Sequence, residues 1–403
     1  MHARIRRAAV VASVVAVGCG GLGATAQADG PGVGPPAIVA LGDSAISGEA
    51  GRWAGNTNGA SSRVDALGST AYHDVAGAEA IRGCHRSKAA EVHIGDGVPS
   101  ANLACSGART STNAGGSNFK PGIDFYLDGS GRRGQALALQ QYASTHNVRA
   151  VALLIGANNY GFADIVQRCV TNWLTSPSWW PNYCNDDSSI KSRFTATRVA
   201  TETANVKGAI LNVREAMSRA GYSDGQYTIL AQTYSSPIPR GSGFRYPQSG
   251  WTRQTIGGCG VWNRDADWAN DTVVRIFNET IRNAAAQSGL PNVRLVEMAN
   301  ALVGRRLCES SVGLLEERGV ANWLTAGAVD KTEWVSQIRT VTTIVGPYQL
   351  QEAGHPSYWG QLALRNCLRQ AFNNGVPRGG TCTIGGLGLT SRGEPVMSLS
   401  PAG

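Results

Sequence analysis

The chain has 403 residues, of which 42% are hydrophobic and 16% charged, with 51 glycines. That is enough apolar material for one large domain with a sizeable core, and it excludes a disordered chain. The formal charge of +8 is mildly basic, but no run of Lys and Arg has the shape of a nucleic-acid footprint, so no nucleic-acid partner is expected.

At the N-terminus, Arg4, Arg6 and Arg7 precede Ala8–Val17, an apolar stretch too short to span a bilayer. Ala26-Gln27-Ala28 then has the small-x-small pattern of a cleavage site. Residues 1–28 therefore read as a signal peptide, with a secreted product beginning near Asp29. A lipid anchor on Cys19 is the alternative reading, disfavoured by the small Ala16. Removing residues 1–28 takes away three arginines and no acid, leaving +5. No later segment is long and apolar enough for a membrane helix, so no stable membrane insertion is expected, and a monomer is expected.

Export would also leave eight of the nine cysteines, an even number suited to an oxidising compartment. Many pairings are open. Sequence neighbours close the shortest loops, which favours Cys84–Cys105, Cys169–Cys184, Cys259–Cys308 and Cys367–Cys382. Zinc is the competing use of cysteine, but there is no Cys-x-x-Cys, and only Cys84 has an adjacent histidine, His85. No metal site is expected.

Strand-length apolar runs recur along the chain. They are Ala37–Leu41, a weak one at Ala101–Cys105, Ala150–Ile155, Tyr227–Thr233 and Val293–Met298. Amphipathic helical stretches lie near Gly134–His146, Thr197–Ala220, Ala266–Ser288 and Trp359–Phe372. Continuous apolar strands alternating with helices imply an α/β fold: three layers, with a parallel sheet covered on both faces. Long polar or aromatic insertions interrupt this plan at Cys169–Asn185, Ser235–Trp262 and Arg305–Tyr348. Trp179-Trp180 in the first either contact an acyl or aryl group or pack the insertion itself. One domain is expected over residues 29–375, followed by a Gly/Ser-rich, poorly structured tail, 376–403, partly tied by Cys382.

Ser44 follows the first apolar run, in Gly42-Asp43-Ser44, where a hydroxyl can stand at the carboxyl edge of the sheet. A nucleophilic serine needs a base, usually histidine. After residue 28 the chain offers His73, His85, His93, His146 and His355. Only His355, in QEAGHPSYWG, has a distinctive setting: Pro356 fixes the backbone after it and a helix begins soon afterwards. Glu352, three residues before it, is the candidate to orient the imidazole. Gly107 and Asn158, at the ends of the second and third strands, are candidate oxyanion donors, one through a close backbone N–H and one through an uncharged amide. Asp43 is read as structural. A rival nucleophile, Ser223 in Gly-Tyr-Ser-Asp-Gly, sits between a helix and a strand, the reverse of a nucleophile elbow.

Gly42-Asp43-Ser44, Gly107, Gly156-Ala157-Asn158 and His355-Pro356, in that order and at strand ends, resemble the GDSL or SGNH hydrolases. The resemblance spans about residues 37–370 and is greatest to the secreted, disulfide-bearing esterases and lipases of actinobacteria. It implies a flavodoxin-like αβα fold, no cofactor, and hydrolysis of carboxylic esters through an acyl-enzyme. By position it makes Ser44 the nucleophile and, through its N–H, one oxyanion donor. Gly107 and Asn158 are the other donors, and His355 is the base. Two departures stand out. The family commonly has Asp where this chain has Glu352, and some members orient the histidine with a backbone carbonyl instead. Asn159 replaces a frequent Asp after the asparagine. The substrate expected is an acyl-chain or lipid ester, phospholipids included. Alternatives are carbohydrate deacetylation on the same scaffold, and a non-catalytic secreted binding protein.

Overall fold

The computed structural model describes residues 30–340 and 346–401; the signal-peptide reading and Cys19 lie outside them. A seven-stranded sheet forms the centre, built from β1 (Val33–Gly42), β2 (Ser100–Asn102), β3 (His146–Leu154), β4 (Thr228–Gln232), β5 (Val293–Glu297), β6 (Gly380–Leu389) and β7 (Pro395–Ser400). The order is β2-β1-β3-β4-β5-β6-β7; every pairing is parallel except that of β6 with β7. Its first five strands follow the flavodoxin-like order, which makes β1 the switch point where a binding crevice opens beyond the carboxyl ends.

The helices that matter for the site are α1 (Ser44–Ser47), α2 (Gln135–Ala143), α3 (Phe162–Thr175), α4 (Ala196–Arg219), α5 (Arg275–Ser288) and α6 (Tyr358–Phe372). Thr195 caps α4, its hydroxyl accepting from Arg198 N–H at 3.3 Å. The face of α4 that carries Val206, Ala209, Ile210, Val213 and Met217 is buried, the stripe a helical period gives. Helices α2 and α5 pack on α4. On α6, Gln361 and Arg365 donate to carbonyls of Ala45, Lys88 and Ala90, tying that helix to the segment after β1.

In β1, Ala37 to Leu41 are fully buried, as a strand covered on both faces must be. Burying Ile38 or Leu41 contributes roughly 1.5–3 kcal/mol each, and Ile38→Ala would cost about 2–5 kcal/mol once the cavity is counted. Disulfides join Cys84–Cys105, Cys169–Cys184, Cys259–Cys308 and Cys367–Cys382, the sequence-neighbour pairs.

Two expectations need correction. The tail after residue 375 is a β-hairpin that extends the sheet by two strands, with Cys382 at its base bonded to α6 through Cys367. The first insertion begins inside a regular helix, α3, which carries both Cys169 and Trp173. Beyond it, Trp179 and Trp180 are 80% and 74% exposed, so they do not pack the insertion. Trp173 does that work, against Trp251 and Trp262.

Candidate active site

Gly42 closes β1 at φ +143, a backbone few side chains adopt, and a Cβ there would stand 2.0 Å from the Leu154 carbonyl oxygen. The chain can therefore turn sharply. Asp43 then caps α1, its carboxylate accepting from Ala45 N–H at 3.2 Å. Burial pushes the Asp43 carboxyl up to about 7 despite hydrogen bonds from Tyr234 and Ala45. Tyr234 donates to Asp43 and accepts from Ala157 N–H at 3.1 Å, so one phenol links the Ser44 turn to the Asn158 turn. Asp43 is structural here.

Ser44, the first residue of α1, is buried but for a small opening. Its Oγ lies 2.7 Å from His355 Nε2. Across the ring, His355 Nδ1 lies 3.1 Å from the carbonyl of Ala353. A carbonyl only accepts, so Nδ1 carries the hydrogen and Nε2 is left to accept from the serine hydroxyl. Burial holds His355 below the ordinary histidine value, against the opposing charge of Glu49. The imidazole is neutral at neutral pH.

Glu352 does not take the position expected of it. It ends the turn Leu350–Glu352 in a capping box, its carboxylate folded back to accept Gln349 N–H at 2.9 Å. The same carboxylate accepts Trp53 Nε1–H at 2.8 Å and Tyr72 O–H at 2.6 Å. Three donors hold it away from the imidazole, and the Ala353 carbonyl fills the orienting role. Glu352 secures the loop that carries His355.

Gly107 follows Cys105 and Ser106 with φ +80, a conformation that strains any other residue. Neither its N–H nor that of Ser44 donates within the described residues. Asn158 donates one amide hydrogen to the Ala108 carbonyl at 2.9 Å, which leaves the second. Ser44, Gly107, Asn158 and His355 line one groove of about 700 Å³. One of its walls is the apolar stripe Phe162, Val166, Val170 and Leu174 of α3, repeating every four residues over roughly 18 Å. Lys120, Arg339 and Leu350 also line it.

Ser223 is elsewhere, exposed in the turn between α4 and β4, its hydroxyl on Gln226. Among the described residues, the one cluster of three potential metal ligands is Cys169, Cys184 and Asp265, and its two sulfurs are joined as a disulfide. Sequence reasoning passed over His85, which lies 2.7 Å from Glu49 and stacked on Tyr72, next to the His355 loop. The adjoining Cys84 was its only signal.

The residues on which the resemblance to the GDSL/SGNH hydrolases rests thus meet at one groove. No family model and no curated protein matches the chain. Among solved structures it is similar to an extracellular lipase from Streptomyces rimosus, at 17% identity and TM-score 0.42, over 83% of this chain and 99% of the other. It is likewise similar to phospholipase A1 from Streptomyces albidoflavus, at 19% and 0.44, over 84% and 99%. Est24, a carbohydrate acetylesterase from Sinorhizobium meliloti, follows at 11% and 0.29, over 70% and 92%. The functional reading rests on the site's own geometry. No helix among the described residues is long and apolar enough to cross a membrane.

Proposed function

We propose that the chain is a secreted serine carboxylester hydrolase acting on esters of medium or long acyl chains, lipids included. The observation that carries this reading is the 2.7 Å hydrogen bond between Ser44 Oγ and a neutral, carbonyl-oriented His355, set in a groove with an apolar wall. Ser44 Oγ attacks the ester carbonyl while its proton passes to His355 Nε2. The tetrahedral oxyanion receives the N–H groups of Ser44 and Gly107 and the free amide hydrogen of Asn158. Collapse expels the alcohol, which takes the proton from His355. Water, deprotonated by the same nitrogen, then releases the acid from Ser44. The acyl chain lies along Phe162, Val166, Val170 and Leu174.

The test is hydrolysis of a nitrophenyl-ester series from acetate to palmitate by residues 29–403 and by the variants Ser44→Ala and Val166→Asp. Serine-dependent turnover that rises with chain length supports the reading. Val166→Asp is expected to lower kcat/KM for the long esters about 10-fold or more while sparing acetate. Turnover confined to acetate would transfer the site to deacetylation, and absence of turnover in a folded chain would sink the hydrolase reading.

A further inference from the structure

Glu49 lies five residues after Ser44 and is fully buried, and the hydrolytic steps above make no use of it. Its carboxylate meets two other segments directly. Oε1 lies 2.7 Å from His85 Nδ1. The Gln351 amide sits against both groups, Nε2 being 3.1 Å from Glu49 Oε2 and 2.8 Å from His85 Nδ1. Ser106 also acts on Glu49 and helps to lower it. Glu49's own N–H donates to the Ser44 carbonyl at 3.1 Å.

Each partner adjoins a reacting group. Ser44 is the nucleophile, Ser106 precedes Gly107, and Gln351 stands four residues before His355 in the turn that delivers it. The Cys84–Cys105 disulfide and the 3.0 Å bond from Ser106 N–H to the Cys84 carbonyl fasten the His85 segment to the Gly107 segment. One carboxylate thus meets the His355 arm through Gln351 and the Gly107 arm through the His85 segment.

The surroundings keep that carboxylate charged. His85 lies between Glu49 and Glu79, its Nε2 3.4 Å from Glu79 Oε1, with the Tyr72 ring stacked 4.1 Å away. Burial acts to lower His85, but the Glu49 hydrogen bond and charge, with Glu79 and Glu352, hold it above the ordinary histidine value. Burial acts to raise Glu49, but His85, with His355 and Ser106, brings it below the usual carboxylate value. Lys120, the Tyr72 phenol and the Glu352 carboxyl are the other titratable groups that act with Glu49.

We propose that Glu49 is the positioning carboxylate of this site, standing where a third triad acid is absent: it locks the Ser44, Gly107 and His355 segments together and sets a buried negative charge opposite the imidazolium that forms during turnover. The proposal rests on the reading of Ser44 and His355 as nucleophile and base. Glu49 takes no proton in the cycle. The proton travels from Ser44 Oγ to His355 Nε2 and on to the leaving alcohol, and Glu49 stabilises the charge of the intermediate stage.

The experiment compares residues 29–403 with the variants Glu49→Gln and Glu49→Asp, reading kcat, KM and the pH profile of kcat/KM. Glu49→Gln is expected to lower kcat about 10–100-fold with KM within about threefold. The acid limb of its profile moves to lower pH, because the imidazolium loses its counter-charge. Glu49→Asp, which keeps the charge, recovers part of the loss. In a Ser44→Ala background the His355 ring titration, followed by NMR, moves the same way on Glu49→Gln. That readout needs no activity, so a chain without esterase turnover would overturn the hydrolase reading and leave Glu49 to be judged by the titration alone. A fall in kcat with the acid limb and the titration unmoved would reduce Glu49 to a structural role and overturn the proposal. If Glu49→Gln fails to fold, His85→Asn replaces it, since Asn tolerates the left-handed backbone at φ +47. Without the His85 hydrogen bond and charge Glu49 protonates more readily, so activity is lost at a pH where the parent is fully active; an unchanged profile would overturn the proposal.

Discussion

His355 and His85 are both buried histidines near the carboxyl edge of the sheet, and they are held in opposite ways. A backbone carbonyl holds His355 and a hydroxyl faces it; burial keeps it neutral. Two carboxylates flank His85 and hold it above the ordinary histidine value. The same side chain is made a weaker base in one place and a stronger one in the other. The partner, and not the residue type, makes the difference.

Exchanging the two histidines in turn tests that contrast most severely. His355→Asn is expected to cost at least about 10³-fold in kcat toward a nitrophenyl ester, whereas His85→Asn stays within about 10²-fold at its optimum pH. Equal losses would erase the distinction. The parent chain sharpens it further. A base must be neutral to act, and the His355 value is depressed, so activity rises with pH through a limb below the ordinary histidine value near 6.5. A limb above that value would place His355 beside an uncompensated carboxylate.

Glu352→Gln gives a smaller effect on turnover, within about 10-fold in kcat, because its carboxylate serves the Gln349–Glu352 turn, Trp53 and Tyr72 instead of the imidazole. Its loss appears in denaturation, at about 1–3 kcal/mol for weakened buried hydrogen bonds. A kcat loss as large as that of His355→Asn would return Glu352 to the triad. Glu91 is the control with the least effect on turnover. It is fully buried, and burial pushes its carboxyl up to about 8 with only Gln232 acting to lower it. The folded chain binds that proton more tightly than the unfolded one. Its contribution therefore favours folding at low pH and is lost as pH rises from about 4.5 to about 8. Urea midpoints of Glu91→Gln should fall less across that window than those of the parent, with kcat unchanged; parallel curves would show Glu91 to be charged and compensated, as Glu49 is.

Much of the site was legible because it is written locally. The apolar run at Ala37–Leu41 ending in Gly42-Asp43-Ser44 declares a buried strand and its turn, and His355-Pro356 before a helix declares the other arm. The pairing of cysteines with their sequence neighbours followed from loop length. What stayed hidden depends on partners brought in from afar. His85 looked ordinary because Glu49, Glu79 and Gln351 meet it only in the folded chain. Glu352 stands at the right spacing from His355, but the capping box Gln349–Glu352 claimed it first. The closing hairpin was obscured by Gly385, Gly386 and Gly388, which weaken a strand signal without preventing one that pairs with β7 and is anchored by Cys382.

The Cys84–Cys105 bridge has a bearing on where the molecule is competent. It closes a span of 21 residues and fastens the segment that presents Gly107 to the one that presents His85. A cell that keeps its thiols reduced leaves those two pieces on a slack tether, free to wander apart at an entropic advantage of roughly 3 kcal/mol. Oxidation thus acts as a maturation step: the two segments are drawn into register only where their thiols can pair.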